Sequence, residues 1–152
     1  MPGITEAPVH GAAATPGSVS RRLAAMIYDS MLILAIWMLG TAALLPITGG
    51  EAIEGPWMPL YQLYLLALTF TFFAGFWLRG GQTLGMKAWR LHVERNDGQP
   101  LALKDAVRRF VAAIPALLPF GLGLFWCLID RDRLAWHDRL SQTRIVFRPD
   151  RR

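Results

Sequence analysis

Residues 23–45 read L-A-A-M-I-Y-D-S-M-L-I-L-A-I-W-M-L-G-T-A-A-L-L, 23 residues with a single charge, Asp29. A helix needs about 20 apolar residues to cross a hydrocarbon layer roughly 30 Å thick, so this stretch sets the class of fold. Residues 55–78 add 24 residues with no charge, with Trp57 and Trp77 near the two ends, where aromatic belts meet the interfaces. Residues 110–129 add 20 more with none. Three such stretches in a chain of 152 residues leave no soluble shell to cover them. Composition agrees: 18% of residues are charged and 53% hydrophobic, where an average globular chain carries roughly 25% charge. The sequence reads as an all-α membrane protein: two transmembrane helices, a third broken hydrophobic segment, and a small cytoplasmic β element.

The net charge of +5 would suit nucleic acid, but the positions of the charges do not. All 16 Lys and Arg fall in three segments: 2 before residue 23, 7 from Arg79 to Arg109 and 7 after Ile129. Basic residues are retained on the cytoplasmic side. The loop Pro46–Gly55 holds Glu51 and Glu54 and no basic residue, so it lies outside and the N-terminus inside. The stretch 23–45 begins too late and runs too long for a cleaved signal peptide. The single cysteine, Cys127, excludes an internal disulfide and a four-cysteine zinc site. Residues 1–20, rich in Ala, Gly, Pro, Ser and Thr, read as a disordered tail, residues 21–148 as the membrane domain and 149–152 as a basic tail.

A full crossing by residues 110–129 would put seven arginines outside. Pro115 and Pro119 interrupt that stretch and Gly121 and Gly123 follow. The 9 residues Phe110–Leu118 make about 13.5 Å of helix, half a bilayer. A re-entrant hairpin that leaves on the cytoplasmic side satisfies the charge rule, and a kinked crossing is the alternative. Before it, Leu103–Arg109 reads as a short interfacial helix with Lys104, Arg108 and Arg109 towards the headgroups. From Trp89 the sequence alternates, Trp89, Leu91 and Val93 against Arg90, His92 and Glu94, a strand pattern that Asn96-Asp97-Gly98 closes with a turn. Residues 143–148 alternate again, and one strand alone would not be stable, so the two are expected to pair.

Three pieces occur in order: R-L-A-A-M-I-Y-D at 22–29, G-G-Q-T-L-G-M-K at 80–87 and W-H-D-R-L-S-Q-T at 136–143. Together they resemble the RDD family of small bacterial membrane proteins, named for one arginine and two aspartates, over roughly residues 18–147. The matching positions are Arg22, Asp29 and Asp138, with Gly81, Thr83, Gly85, His137 and Thr143 as motif support. Gln142 stands where the family usually has a small residue. The resemblance implies a multi-pass protein of the bacterial inner membrane. It also implies transport of an unidentified ligand, or cation/proton exchange.

Arg22 and Asp29 are seven residues apart, hence on one helix face about 10.5 Å apart along the axis. Side chains tilt towards the helix N-terminus, so Asp29 points towards Arg22 while Arg22 leans away, and a direct pair is strained. A carboxylate at that depth costs roughly 2.5 to 3.5 kcal/mol and needs a partner or a water cavity. The candidates are Arg22, a basic residue of the C-terminal segment such as Arg139, or a bound cation or proton. Asp29 is therefore either an ion or proton site or half of a structural ion pair. Arg22, Asp29 and Asp138 are expected to form one charge cluster at the cytoplasmic end of the first helix.

His137 and Asp138 lack a second histidine at ligand spacing, so no metal is expected, nor any cofactor. Asp138 is expected to pair with Arg22 or to cap a turn. Gly80, Gly81 and Gly85 lack the G-K-[ST] of a phosphate loop and suit a sharp exit from the second helix. No nucleophile, base and oxyanion set can be assembled, so no enzyme is expected. Two functions remain: a small transporter or exchanger working as an oligomer, since two spans are too few to enclose a pathway, or a structural or assembly protein that binds a membrane partner. Anionic headgroups, a homo-oligomer or a membrane-protein partner are the expected contacts, and nucleic acid is not.

Overall fold

The computed structural model describes residues 15–97, 99, 101–117, 126, 129, 130 and 135–148. Strand β1 (Thr15–Pro16) leads into helix α1 (Val19–Ala42), a short α2 (Leu45–Thr48) and a 3-10 turn at Gly55–Trp57. Helix α3 (Met58–Gly80) follows, then α4 (Leu84–Ala88), β2 (Leu91–Arg95), α5 (Leu103–Leu117), α6 (Trp136–Leu140) and β3 (Thr143–Phe147). Pro59 sits in the first turn of α3, where its missing N–H costs nothing. Gly81 ends α3 at φ 65°, a left-handed cap that glycine adopts without strain. A Cβ there would also meet the Val93 carbonyl oxygen at 2.7 Å, because the Val93 N–H donates to Gly81 O at 2.7 Å.

Helices α1 and α3 pack antiparallel through polar contacts and one close approach. Trp37 Nε1 donates to Thr69 Oγ1 at 2.9 Å, and Thr41 Oγ1 shares a 2.6 Å hydrogen bond with the Tyr61 hydroxyl. The Tyr64 hydroxyl reaches the Gly40 carbonyl at 3.2 Å, and a Cβ on Gly40 would strike Leu68 at 2.6 Å. Small residues and hydroxyls are the usual adhesive between helices that lipid surrounds. Away from these contacts the helices are bare. In the most apolar window of each, only 6% and 11% of residues are buried, and Met31 and Leu39 are 68% and 72% exposed. A core helix of a soluble protein would be covered; these two are long and apolar enough to cross a membrane and present their surface outward.

The sheet runs β1-β3-β2, with β3 antiparallel to both neighbours. Leu91 faces Phe147, Val93 faces Ile145 and Glu94 faces Arg144. β1 precedes α1 directly, and Gly81 ties the end of α3 to β2, so all three strands gather at one end of the α1–α3 pair. There Leu91, Val93 and Ile145 meet Ala25, Ala74, Trp77, Met86 and Ala106 in the core, with Phe70 edge-on to Phe110 beside it.

Three expectations change. The segment 103–109 and the first limb of the broken stretch are one helix, α5, which runs past Pro115 to Leu117; the proline forfeits the hydrogen bond to the Val111 carbonyl without ending the helix. The hairpin's turn at Pro119, Gly121 and Gly123 lies outside the described residues. The strand begins at Leu91, not Trp89, because Arg90 turns the chain at φ 57° and leaves Trp89 43% exposed. Residues 15–20, assigned by composition to the tail, form β1 and the first turn of α1, where hydrogen bonds to β3 order a segment too short to announce itself.

Candidate functional site

Asp138 is completely buried, at the third position of α6. Its Oδ2 accepts from Arg22 Nη1 at 2.8 Å and from the Ala135 N–H at 3.2 Å, and its Oδ1 accepts from Arg109 Nη1 at 2.6 Å. It is therefore both ion-pair partner and helix cap, roles that the sequence offers only as alternatives. Arg22 also donates to the carbonyls of Gly17 at 3.1 Å and Ile145 at 3.3 Å, joining α1 to β3 and to the residue that follows β1. Arg109 donates to Thr143 Oγ1 at 2.6 Å, which shares a 2.7 Å bond with Ser141 Oγ, and its guanidinium stands 5.3 Å from the centre of the Trp77 ring. Both arginines are 3% exposed.

Burial pushes the Asp138 carboxyl up. The charges of Arg109, His137 and Arg22 and the Arg109 hydrogen bond outweigh it and hold the group down at about 2. His137, with Nε2 3.5 Å from Asp138 Oδ1, is pushed down to about 4 by burial and by the repulsion of Arg109 and Arg22, against the attraction of Asp138. At neutral pH Asp138 is thus a carboxylate held by two guanidiniums, beside a neutral imidazole.

Asp29 does not join it. Its Oδ2 accepts from Thr83 Oγ1 at 2.5 Å and its Oδ1 from the Gly85 N–H at 2.9 Å. Among the described residues no ion pair links Asp29 to Arg22, and Arg139 pairs instead with Asp130 at 2.6 Å. The single three-residue charge cluster is therefore corrected to two sites: side chains lean towards the N-terminus of α1, but the α4 turn fills the space between Asp29 and Arg22's partners. Thr83 caps α4, accepting from the Met86 N–H at 3.2 Å while donating to Asp29. Gly85 lies inside α4 rather than in the exit from α3. A Cβ on it would meet the Ala25 carbonyl oxygen at 2.3 Å and Asp29 Oδ1 at 2.9 Å, so only glycine lets α4 lie against α1.

Arg109, which the sequence directs towards the headgroups, is instead a buried member of the site. Its signal lay in spacing: Ala106, Arg109 and Ala113 share one helix face by the i, i+3, i+7 rule, a stripe small enough to pack inward. Lys104 and Arg108 lie on exposed positions of α5. Ser141 carried no such signal.

A cavity of about 310 Å³ between α1, α3 and α5 touches both sites: its lining includes Arg22, Asp29, Thr83, Arg109 and His137 together with apolar residues such as Met26, Leu66, Phe73 and Ile114. A wider groove of about 490 Å³ between α1, α3 and α4 has Arg79 and Lys87 in its lining, but none of the buried charges. Among the described residues no group of three or more His, Cys, Asp or Glu side chains is placed to hold a metal ion.

Residues 16–142 match the model of the RDD family. No curated protein and no solved structure matches the chain.

Proposed function

Since the chain belongs to the RDD family, we propose that it is a multi-pass protein of the bacterial inner membrane that holds a small ligand between α1, α3 and α5 and serves its transport as an oligomer. The observation that carries this reading is the cavity of about 310 Å³, whose lining combines buried charges with apolar side chains. Ligand sites are concave and mostly apolar, with a few placed polar groups, and start at about this volume. In this reading Asp29 is a structural clasp rather than the ion-carrying group, because both its oxygens are engaged by Thr83 and Gly85. An exchange cycle that empties them would undo the α1–α4 contact.

The N-terminus is cytoplasmic in this account, and the third segment returns to the side it left. Two facts support it: the basic residues avoid the Glu51–Glu54 loop, and β3, after that segment, pairs with β2, before it. Two long helices enclose no pathway, so neighbouring copies supply the remaining wall. Cross-linking in native membranes followed by mass determination tests this. Homo-oligomers are the expected product. A chain recovered alone, or joined only to a different protein, overturns transport in favour of a non-transporting assembly role.

A further inference from the structure

We propose that the wider groove between α1, α3 and α4 seats an anionic phospholipid of the leaflet in which α3 ends, with its phosphate against Arg79 and Lys87 and an acyl chain running along α3 towards Leu68. The inference goes beyond the ligand-holding reading and takes from it only the membrane: of the residues that line them, groove and cavity have Thr83 alone in common. Helix α3 lends the groove Leu68, Thr71, Phe72, Gly75, Phe76 and Arg79. These stand at i, i+3, i+4, i+7, i+8 and i+11, so they form one stripe along the helix. From Leu68 to Arg79 is 11 residues, about 16.5 Å at 1.5 Å per residue, close to half of a hydrocarbon layer roughly 30 Å thick. The stripe therefore spans one leaflet, apolar at depth and cationic in the last turn of α3. A Cβ on Gly75 would meet nothing within 4 Å, so the glycine leaves open space in the middle of the stripe, where an acyl chain can lie.

Charge selects the head. The lining of the groove holds Arg79 and Lys87 and no acidic residue. Both are exposed, and among the described residues neither side chain has an ion-pair partner. Basic recesses between membrane helices take anionic headgroups; a guanidinium forks onto two phosphate oxygens, while an ammonium adds a point charge. A second copy of the chain answers these cations poorly. Residues 23–45 and 55–78 contain one acidic residue, Asp29, and its oxygens are engaged by Thr83 and Gly85. A neighbour docking through α1 or α3 would cover the apolar stripe and bring no anion to its end.

The test uses the full chain in maltoside micelles, with native mass spectrometry counting bound dioleoyl-phosphatidylglycerol against dioleoyl-phosphatidylcholine. Phosphatidylglycerol is expected to bind about 25-fold tighter, about fivefold for each of two basic residues at the membrane surface. Arg79→Gln with Lys87→Gln should erase that preference. Lys104→Gln with Arg108→Gln, on exposed positions of α5 outside the groove, should leave it in place. Gly75→Leu, at a position with room for its Cβ, should weaken phosphatidylglycerol at least about tenfold while leaving the melting temperature in lipid-free detergent unchanged. Equal binding of the two lipids would overturn the site, and so would an equal loss in the Lys104 and Arg108 variant. A Gly75→Leu chain that keeps its lipid would overturn it too, and if its oligomers then fall apart the groove belongs to a second copy. Displacement of the lipid by glycerol 3-phosphate at matching concentration would overturn it in favour of free phosphate. Each of these failures leaves the ligand cavity to its own test, since the substituted side chains lie outside it.

Discussion

The two buried aspartates of this fold, Asp29 on α1 and Asp138 on α6, are held by opposite means. Asp138 sits between two guanidiniums, so its charge is matched by charge, and removing either side exposes the other. Asp29 is held by a hydroxyl and a backbone N–H, neutral donors delivered by one short turn. The first arrangement ties three distant segments together: the start of α1, the middle of α5 and the α6–β3 corner. The second ties α1 to the turn that follows α3. A buried ion pair is costly to break because the surviving charge stays buried, whereas a neutral-donor clasp fails by about the value of its hydrogen bonds and its packing. The two sites should therefore respond very differently to perturbation.

The largest effect is expected at Asp138. Asp138→Asn removes the carboxylate that both guanidiniums contact and should cost about 3–5 kcal/mol, read as a collapse of the thermal transition in detergent; a loss no larger than one neutral hydrogen bond would contradict the ion-pair account. Acid should reach the same site next. His137 has its folded pKa at about 4, below the unfolded 6.5, so its contribution is complete above pH 6.5 and is lost as pH falls from 6.5 to 4. That loss is about 3 kcal/mol, and Asp138 adds a second loss between its ordinary 3.8 and about 2. A stability profile against pH checks both, and His137→Gln should flatten the upper part. A flat wild-type profile from pH 6.5 to 4 would sink this reading. On the Asp29 side Gly85→Ala should cost about 1–3 kcal/mol by forcing α4 off α1, measured by denaturant titration. An unchanged midpoint would mean that α4 does not rest against the Ala25 carbonyl.

The contrast also explains how much the sequence reveals. The two long helices are plain in it because lipid imposes length and apolarity along a continuous run. The β2–β3 pair is plain because alternation marks half-buried strands: Leu91 and Val93 face inward while His92 and Glu94 stay partly exposed. Arg22 and Asp138 come together as their charge and their side of the membrane suggest. Thr83 and Gly85 as the partners of Asp29 are not legible in the same way, since they lie 54 and 56 residues away and bind through a hydroxyl and a main-chain N–H that leave no charge pattern. Arg109 is hidden for the converse reason: it shares α5 with solvent-facing basic residues, and only the alanines on its face distinguish it. β1 is two residues in a Pro- and Gly-rich run and owes its form to β3.

The central claim is that Arg22 serves Asp138 and not Asp29. Two double-mutant cycles measured side by side by thermal unfolding in detergent test it directly. Arg22→Gln with Asp138→Asn should be strongly coupled, the double variant losing less than the sum of the singles by more than about 1 kcal/mol. Arg22→Gln with Asp29→Asn should be additive within about 0.5 kcal/mol, because the two side chains share no partner. The reverse pattern, coupling to Asp29 and additivity with Asp138, would contradict the account.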